Sequence, residues 1–195
     1  MNIGILSLQG AFIEHQKMLT RMGLNSFLVK EASDLDKIDG IILPGGESTS
    51  MRYISQRKEL WSELKIRLNR GLPVFGTCAG AILLSKAIIE ENAETLGLID
   101  VQVRRNAYGR QIDSFEDFIN LKFSPEKDYL AVFIRAPGFE KIGPHVELLA
   151  EYQSQPVLLR ENNILISSFH PELTDDLRIH SYFMDIIKSK GRRIN

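Results

Sequence analysis

Cys78 is the only cysteine, so no disulfide can form within this chain, and a reducing compartment fits. Charge of neither sign dominates. The 24 Lys and Arg stand against 25 Asp and Glu, a formal net charge of −1, which lacks the basic footprint of a nucleic-acid binder. No apolar run approaches the length that spans a bilayer, so no membrane association is expected. The first apolar run, residues 3–8, is too short for a signal peptide and has no charged lead, so a cytoplasmic protein is expected. The four histidines are scattered without metal-ligand spacing, and no metal is expected. What is present is ordinary: 195 residues, 44% hydrophobic and 25% charged, which suits one domain over residues 1–195 with a sizeable core.

Short apolar runs at 3–8, 26–29, 40–43 and 73–75 read as strands, with helical periodicity between them. Phe12, Leu19 and Met22 mark one helix; Leu60, Trp61, Leu64 and Leu68 mark another that stops at Gly71. Continuous apolar strands alternating with helices predict an α/β fold, a mostly parallel sheet covered on both faces. From there the pattern changes. Runs at 101–105, 118–123, 130–134, 146–152, 157–160 and 164–169 predict strands with few helices between them, as an antiparallel extension or an edge of the same sheet. A last helix carries Ile179, Tyr182, Phe183, Ile186 and Ile187 on one face, with Asp175 and Asp176 in its first turn and Lys188 and Lys190 at its end. The basic tail 190–193 reads as a frayed, solvated end.

Cys78 sits in Gly76-Thr77-Cys78-Ala79-Gly80, between a strand-like and a helix-like run. The glycines permit a sharp strand-to-helix turn, and a helix start offers free N–H groups and a positive dipole end that favour thiolate, the reactive form. A cysteine nucleophile needs a base. His170 is followed by Pro171 and Glu172, and proline holds the residue before it extended. In extended backbone, positions two apart share a side, so Glu172 reaches the imidazole and fixes its tautomer. Taken alone, His-Pro-Glu reads rather as an N-cap histidine with a surface glutamate. His180 reads as structural or surface, His15 stands beside Glu14, and His145 lies at a turn. A second glycine turn, Pro44-Gly45-Gly46-Glu47-Ser48-Thr49, lacks the lysine of a phosphate loop. A Gly-Gly peptide can instead aim an N–H at a reacting oxygen and, with the N–H of Ala79, form an oxyanion hole. A plain strand-to-helix loop is an equal reading.

Together these segments resemble the class I glutamine amidotransferases and, within them, the glutaminase subunits of pyridoxal 5′-phosphate synthase. The resemblance runs from Ile3 to the last helix. It rests on Leu8-Gln9-Gly10-Ala11 with Glu14-His15, on Gly45-Gly46-Glu47-Ser48-Thr49, on the cysteine and His-Pro-Glu motifs, and on Ser114-Phe115 and Phe133-Ile134-Arg135-Ala136-Pro137. Its narrowest element is Arg104-Arg105-Asn106-Ala107-Tyr108-Gly109-Arg110-Gln111. The resemblance implies a three-layer, flavodoxin-like amidotransferase fold and hydrolysis of L-glutamine to glutamate and ammonia through a thioester on Cys78. His170 would move the protons and Glu172 orient it, with Gly45, Gly46 and Ala79 holding the oxyanion. It places glutamine against Gly46, Glu47, Ser48, Arg105, Ile134 and Arg135, with Glu47 suited to the α-ammonium, and gives Gln9 a part in coupling to a partner. Arg104 is left without a role. The implied partner is a (β/α)8-barrel synthase subunit, in a hetero-oligomer with several copies of each, whose docking activates the glutaminase. No cofactor is implied for this chain. A glutaminase for another synthase, a stand-alone cysteine hydrolase and a non-catalytic binding subunit are the alternatives. The 104–111 run speaks against the first, and the intact Cys78, His170 and Glu172 against the last.

Overall fold

The computed structural model describes residues 1–57, 59–105, 107 and 114–191. Seven strands form the main sheet: β1 (Asn2–Leu6), β2 (Asn25–Val29), β3 (Gly40–Leu43), β4 (Val74–Thr77), β10 (Glu147–Tyr152), β11 (Gln155–Glu161) and β12 (Ile164–Ser167). Their order is β10-β11-β12-β4-β3-β1-β2, with β12, β4, β3, β1 and β2 parallel and β11 antiparallel to both its neighbours. Strands β3, β4 and β12 are buried at every residue, which is why they read as unbroken apolar runs.

Alternation along each strand sorts the core into two faces. Ile3, Ile5, Ile42, Phe75 and Leu165 point to one side, where they meet Leu19 of α1 (Phe12–Arg21) and Ile179, Phe183 and Ile187 of α5 (Arg178–Gly191). Leu6, Ile41, Leu43, Val74 and Ile166 point to the other, against Met51 of α2 (Ser48–Arg57), Leu60, Trp61, Leu64 and Leu68 of α3 (Leu60–Asn69), and α4 (Ala79–Leu84). Helix α3 ends as its sequence predicts: Gly71, at φ +89°, donates to Leu68 and Leu72 donates to Arg67, closing a Schellman motif.

The remaining strands correct part of the sequence reading. The runs near 146–152 and 157–160 do extend the sheet with antiparallel pairing, as β10 and β11, but the 164–169 run enters it parallel to β4. The other three candidates leave the main sheet. β6 (Ile99–Arg104) joins β5 (Ser85–Ile88) and β9 (Gly138–Glu140) in a three-stranded sheet, and β7 (Ser114–Leu121) pairs with β8 (Ser124–Ile134) as a hairpin. Each small sheet sends part of its residues into one core face, Ile99, Val101, Val103 and Phe139 into one and Ile119, Leu121, Tyr129, Ala131 and Phe133 into the other, without belonging to the central sheet. Asp175 and Asp176 precede α5 instead of forming its first turn. Asp176 accepts the N–H of Arg178 at 3.0 Å, and Asp175 pairs with Arg21 at 2.7 Å. Lys190 is not a free end either: its Nζ donates to the Gly71 carbonyl. Arg192 and Arg193 lie outside the described residues. Among the described residues no helix is long and apolar enough to cross a membrane.

Candidate active site

The C-terminal ends of β1, β3, β4 and β12 open on a cleft of about 390 Å³, a volume suited to a ligand of amino-acid size. Cys78 follows β4 directly and caps α4 with φ 46° and ψ −101°, a conformation that side-chain-bearing residues rarely hold. Two backbone bonds fix it: its N–H donates to Ser167 at 2.9 Å, and its carbonyl accepts from Ile82 at 3.1 Å. The flanking Gly80 is required by close approach, since a Cβ there would stand 1.9 Å from the Leu43 carbonyl oxygen. The thiol donates to the Ile134 carbonyl at 3.7 Å.

His170 leaves the end of β12 and is anchored by its N–H to Val132 at 2.8 Å. Its Nδ1 lies 2.8 Å from Glu172 Oε1, while Nε2 faces the cleft with no hydrogen bond among the described residues. The expected reach from His170 to Glu172 is therefore present, with a different backbone cause. Residues Pro171–Leu173 form a 3-10 turn, which brings Glu172 under the ring, and Glu172 is buried rather than at the surface. Burial works against a charge on His170, but the adjacent Cys78 and Glu172 outweigh it and lift its pKa to about 10. Burial likewise pushes Glu172 up, yet His15 and His170 hold it below the usual carboxylate range. The imidazole packs on Gly45, where a Cβ would stand 2.3 Å from its Cε1.

The Gly45-Gly46 loop joins β3 to α2. Its Gly45 carbonyl accepts the Ala11 N–H at 3.0 Å, and Gln9 Nε2 donates to the Glu47 carbonyl at 2.7 Å. The loop after β1 is thus stitched to the loop after β3. The carboxylate of Glu47 caps α2, accepting from Thr49 at 2.9 Å and Ser50 at 2.7 Å. Partial burial raises its pKa, but these bonds more than reverse that and bring it to about 2. The helix-start reading of Glu47 is therefore correct as structure, and the residue still lines the cleft.

Gly45, Gly46, Glu47, Ser48, Cys78, Ala79, Arg105, Ile134, Arg135 and His170 all line this cleft. Glu172 stands behind His170, and Gln9 reaches the rim through Glu47. Arg105 Nε lies 2.7 Å from Glu91. Arg104 does not line the cleft; it pairs across β6 and β9 with Glu140 at 2.6 Å and with Glu90 at 3.4 Å. Of the narrow 104–111 run, Asn106, Tyr108, Gly109, Arg110 and Gln111 lie outside the described residues. The sequence reading had not assigned Gly10, Ala11, Ile82 or Leu173 to the cleft, which they also line. His180, read as structural or surface, is buried, and His15 beside Glu14 is buried too; both lie behind Glu172, a grouping the sequence does not announce.

A cysteine on a strained strand-to-helix turn, a histidine–glutamate pair at the end of the neighbouring strand and a glycine loop opposite them make a site suited to acyl transfer. With the parallel sheet beneath, they define a class I glutamine amidotransferase-like α/β protein. A solved structure titled "Crystal structure of glutamine amidotransferase" is similar over 95% of this chain and 98% of its own, with 41% identity and a TM-score of 0.90. The chain belongs to the SNO glutamine amidotransferase family, whose model matches residues 5–189. Among its relatives, "Pyridoxal 5'-phosphate synthase subunit PdxT" of Thermosipho africanus is 50% identical over 188 residues, covering 96% of this chain and 100% of the relative. The protein of the same name from Fervidobacterium nodosum is 47% identical over 188 residues, covering 96% and 98%.

Proposed function

We propose that this chain hydrolyses L-glutamine to L-glutamate and ammonia and supplies the ammonia for pyridoxal 5′-phosphate synthesis. The carrying observation is the meeting of Cys78, the His170–Glu172 pair and the Gly45-Gly46 loop in one cleft of a chain half identical to pyridoxal 5′-phosphate synthase subunits. His170, charged at neutral pH, already holds the Cys78 proton, and the thiolate sulfur attacks the side-chain amide carbon of glutamine. The oxyanion is held by N–H groups of the Gly45-Gly46 loop and of Ala79. His170 protonates the departing nitrogen, which leaves as ammonia, and a glutamyl thioester remains. His170 then takes a proton from water; the hydroxide formed attacks the thioester, and glutamate leaves as the thiolate is restored. Glu172 keeps His170 oriented and supports its charged form.

Glu47 faces the α-ammonium of glutamine, with Gly46, Ser48 and Ile134 around the chain. An arginine fork from Arg105 or Arg135 matches the α-carboxylate. Gln9 couples the loop to the partner, a role supported by its bond to the Glu47 carbonyl at 2.7 Å. All 195 residues serve as one glutaminase domain working in the cytoplasm. The partner is a (β/α)8-barrel synthase subunit in a hetero-oligomer with several copies of each chain. Direct transfer makes chemical sense, because ammonia released into neutral water becomes ammonium and loses its nucleophilic lone pair.

Ammonia release from glutamine, measured on the purified chain alone and then with the synthase subunit, tests the proposal. Release should rise sharply on addition, together with formation of pyridoxal 5′-phosphate from a pentose phosphate and a triose phosphate. Release that is unchanged by the synthase would remove the partner from the account.

A further inference from the structure

Two histidines that the proposed reaction does not use are fully buried close to it. His15 on α1 and His180 on α5 are both 0% exposed. They form a chain behind Glu172. Glu172 Oε2, the oxygen turned away from His170, lies 3.5 Å from His15 Nε2, close enough for electrostatic contact but with no hydrogen bond among the described residues, and His15 Nδ1 lies 3.0 Å from His180 Nε2. Thr77, the residue before Cys78, places Oγ1 3.2 Å from His15 Nε2. Phe75 of β4 packs edge-on against both rings, with centroids at 6.3 and 5.9 Å, so the chain sits among apolar walls. Ring nitrogens facing each other at 3.0 Å are hydrogen-bonded, and among the described residues no group of three or more His, Cys, Asp or Glu is arranged to hold a metal.

We propose that His15, held in one tautomer by His180, positions the His170–Glu172 pair by facing its Nε2–H to the second carboxylate oxygen of Glu172. The proposal rests on the reading of Cys78, His170 and Glu172 as the reacting set. The tautomer follows from the neighbours. If Nε2 were bare, its lone pair would face an ionised carboxylate in a dry site, a repulsion that a hydrogen bond from Thr77 would not offset. With the proton on Nε2, Thr77 Oγ1 and Glu172 Oε2 both face a donor, and His15 Nδ1 accepts from His180 Nε2–H. His180 Nδ1 is then a bare acceptor, and it has no hydrogen-bond partner among the described residues. Both rings stay neutral: burial, with His170 nearby, lowers His15, and burial, with His15 nearby, brings His180 to about 3.

The titratable groups around this chain are Cys78 and His170 on the cleft side, Glu14 on α1 and Tyr129 on β8. None of these supplies a second N–H to Glu172. Without His15, the buried Oε2, already short of a hydrogen bond, loses the imidazole N–H that faces it at 3.5 Å. Its pKa rises, and the His170 imidazolium loses the charge that supports it.

Full-length chain labelled with 15N in its imidazoles tests this, because nitrogen shifts report both tautomer and protonation. His15 and His180 should carry their proton on Nε2 and be neutral at neutral pH, both held below the ordinary histidine value. The His170 midpoint should fall by about one pH unit or more in His15→Met and by less in His180→Met. It should return toward the wild-type value in His15→Gln, whose amide donates from about the same reach. A proton on His15 Nδ1, or a His170 midpoint unmoved in both Met variants, would overturn the proposal. If His15→Met does not fold, the wild-type tautomer and His180→Met decide. Glu172→Gln separates the two levels. If it leaves the His170 midpoint in place, the reacting set itself is wrong; if it lowers the midpoint while the Met variants do not, only the role of His15 falls.

Discussion

Glutamine hydrolysis is expected to fall by roughly five to six orders of magnitude in Cys78→Ala, the scale on which removing a nucleophile disables a catalytic triad. No second thiol exists to take its place. The buried Cys78 side chain makes a weak hydrogen bond, 3.7 Å to the Ile134 carbonyl, and helps to support the charge of His170, so its loss changes the site's chemistry and leaves the backbone in place. Alanine keeps the Cβ and with it the strained φ of 46°, so the turn itself is unchanged. The variant should therefore fold and bind the synthase normally. Ammonia release by the complex is the measurement, and turnover near wild type would refute Cys78 as the nucleophile.

The second large effect separates His170 from Glu172. His170→Ala removes the proton carrier and should cost about as much as Cys78→Ala, whereas Glu172→Ala should be milder by roughly a hundredfold, because it removes orientation. The geometry sets this order. His170 presents Nε2 to the cleft beside Cys78, while Glu172 touches only the far nitrogen, at 2.8 Å. Even without Glu172, Gly45 still packs on the imidazole face and the His170 N–H still holds Val132 at 2.8 Å. Steady-state kcat for the two variants in the complex reads the difference. Equal losses would mean that the pair works as one inseparable unit.

Much of this site was legible because its signals are local. Glycines bracketing Cys78 mark a turn whose close approach to Leu43 leaves no room for a Cβ at Gly80. Proline after His170 marks a break from which Glu172 can fold back, although a 3-10 turn and not extended backbone delivers it. The apolar run at Gly40–Leu43 is legible as a central strand because both its faces are covered. Strand pairing is not local, so the runs that become β6, β7 and β8 read as an extension or edge of the main sheet: an apolar run does not say what it pairs with. Helix α2 gave no apolar stripe, since Ser48, Met51 and Ser55 are the residues it buries.

The buried histidines had a signal that composition hides. His15 stands three residues after Phe12 and four before Leu19, on the stripe that α1 turns to the core. His180 occupies the same kind of position, three residues before Phe183 and four before Met184. A polar residue on an apolar stripe is the exception that needs a partner, and here each histidine is the other's. Arg104 and Arg105 divide for a similar reason. Ile99, Val101 and Val103 face the core, so Arg104 turns outward to Glu140, and Arg105, just past the end of β6, reaches the cleft.

Covalent labelling by a glutamine-analogue electrophile tests the central claim most directly, with intact mass and peptide mapping as the readout. The account predicts one equivalent of label, on Cys78, with protection by glutamine and a strongly reduced rate in His170→Ala. Label that settles on another residue, or that reaches Cys78 equally fast with glutamine present, would contradict it.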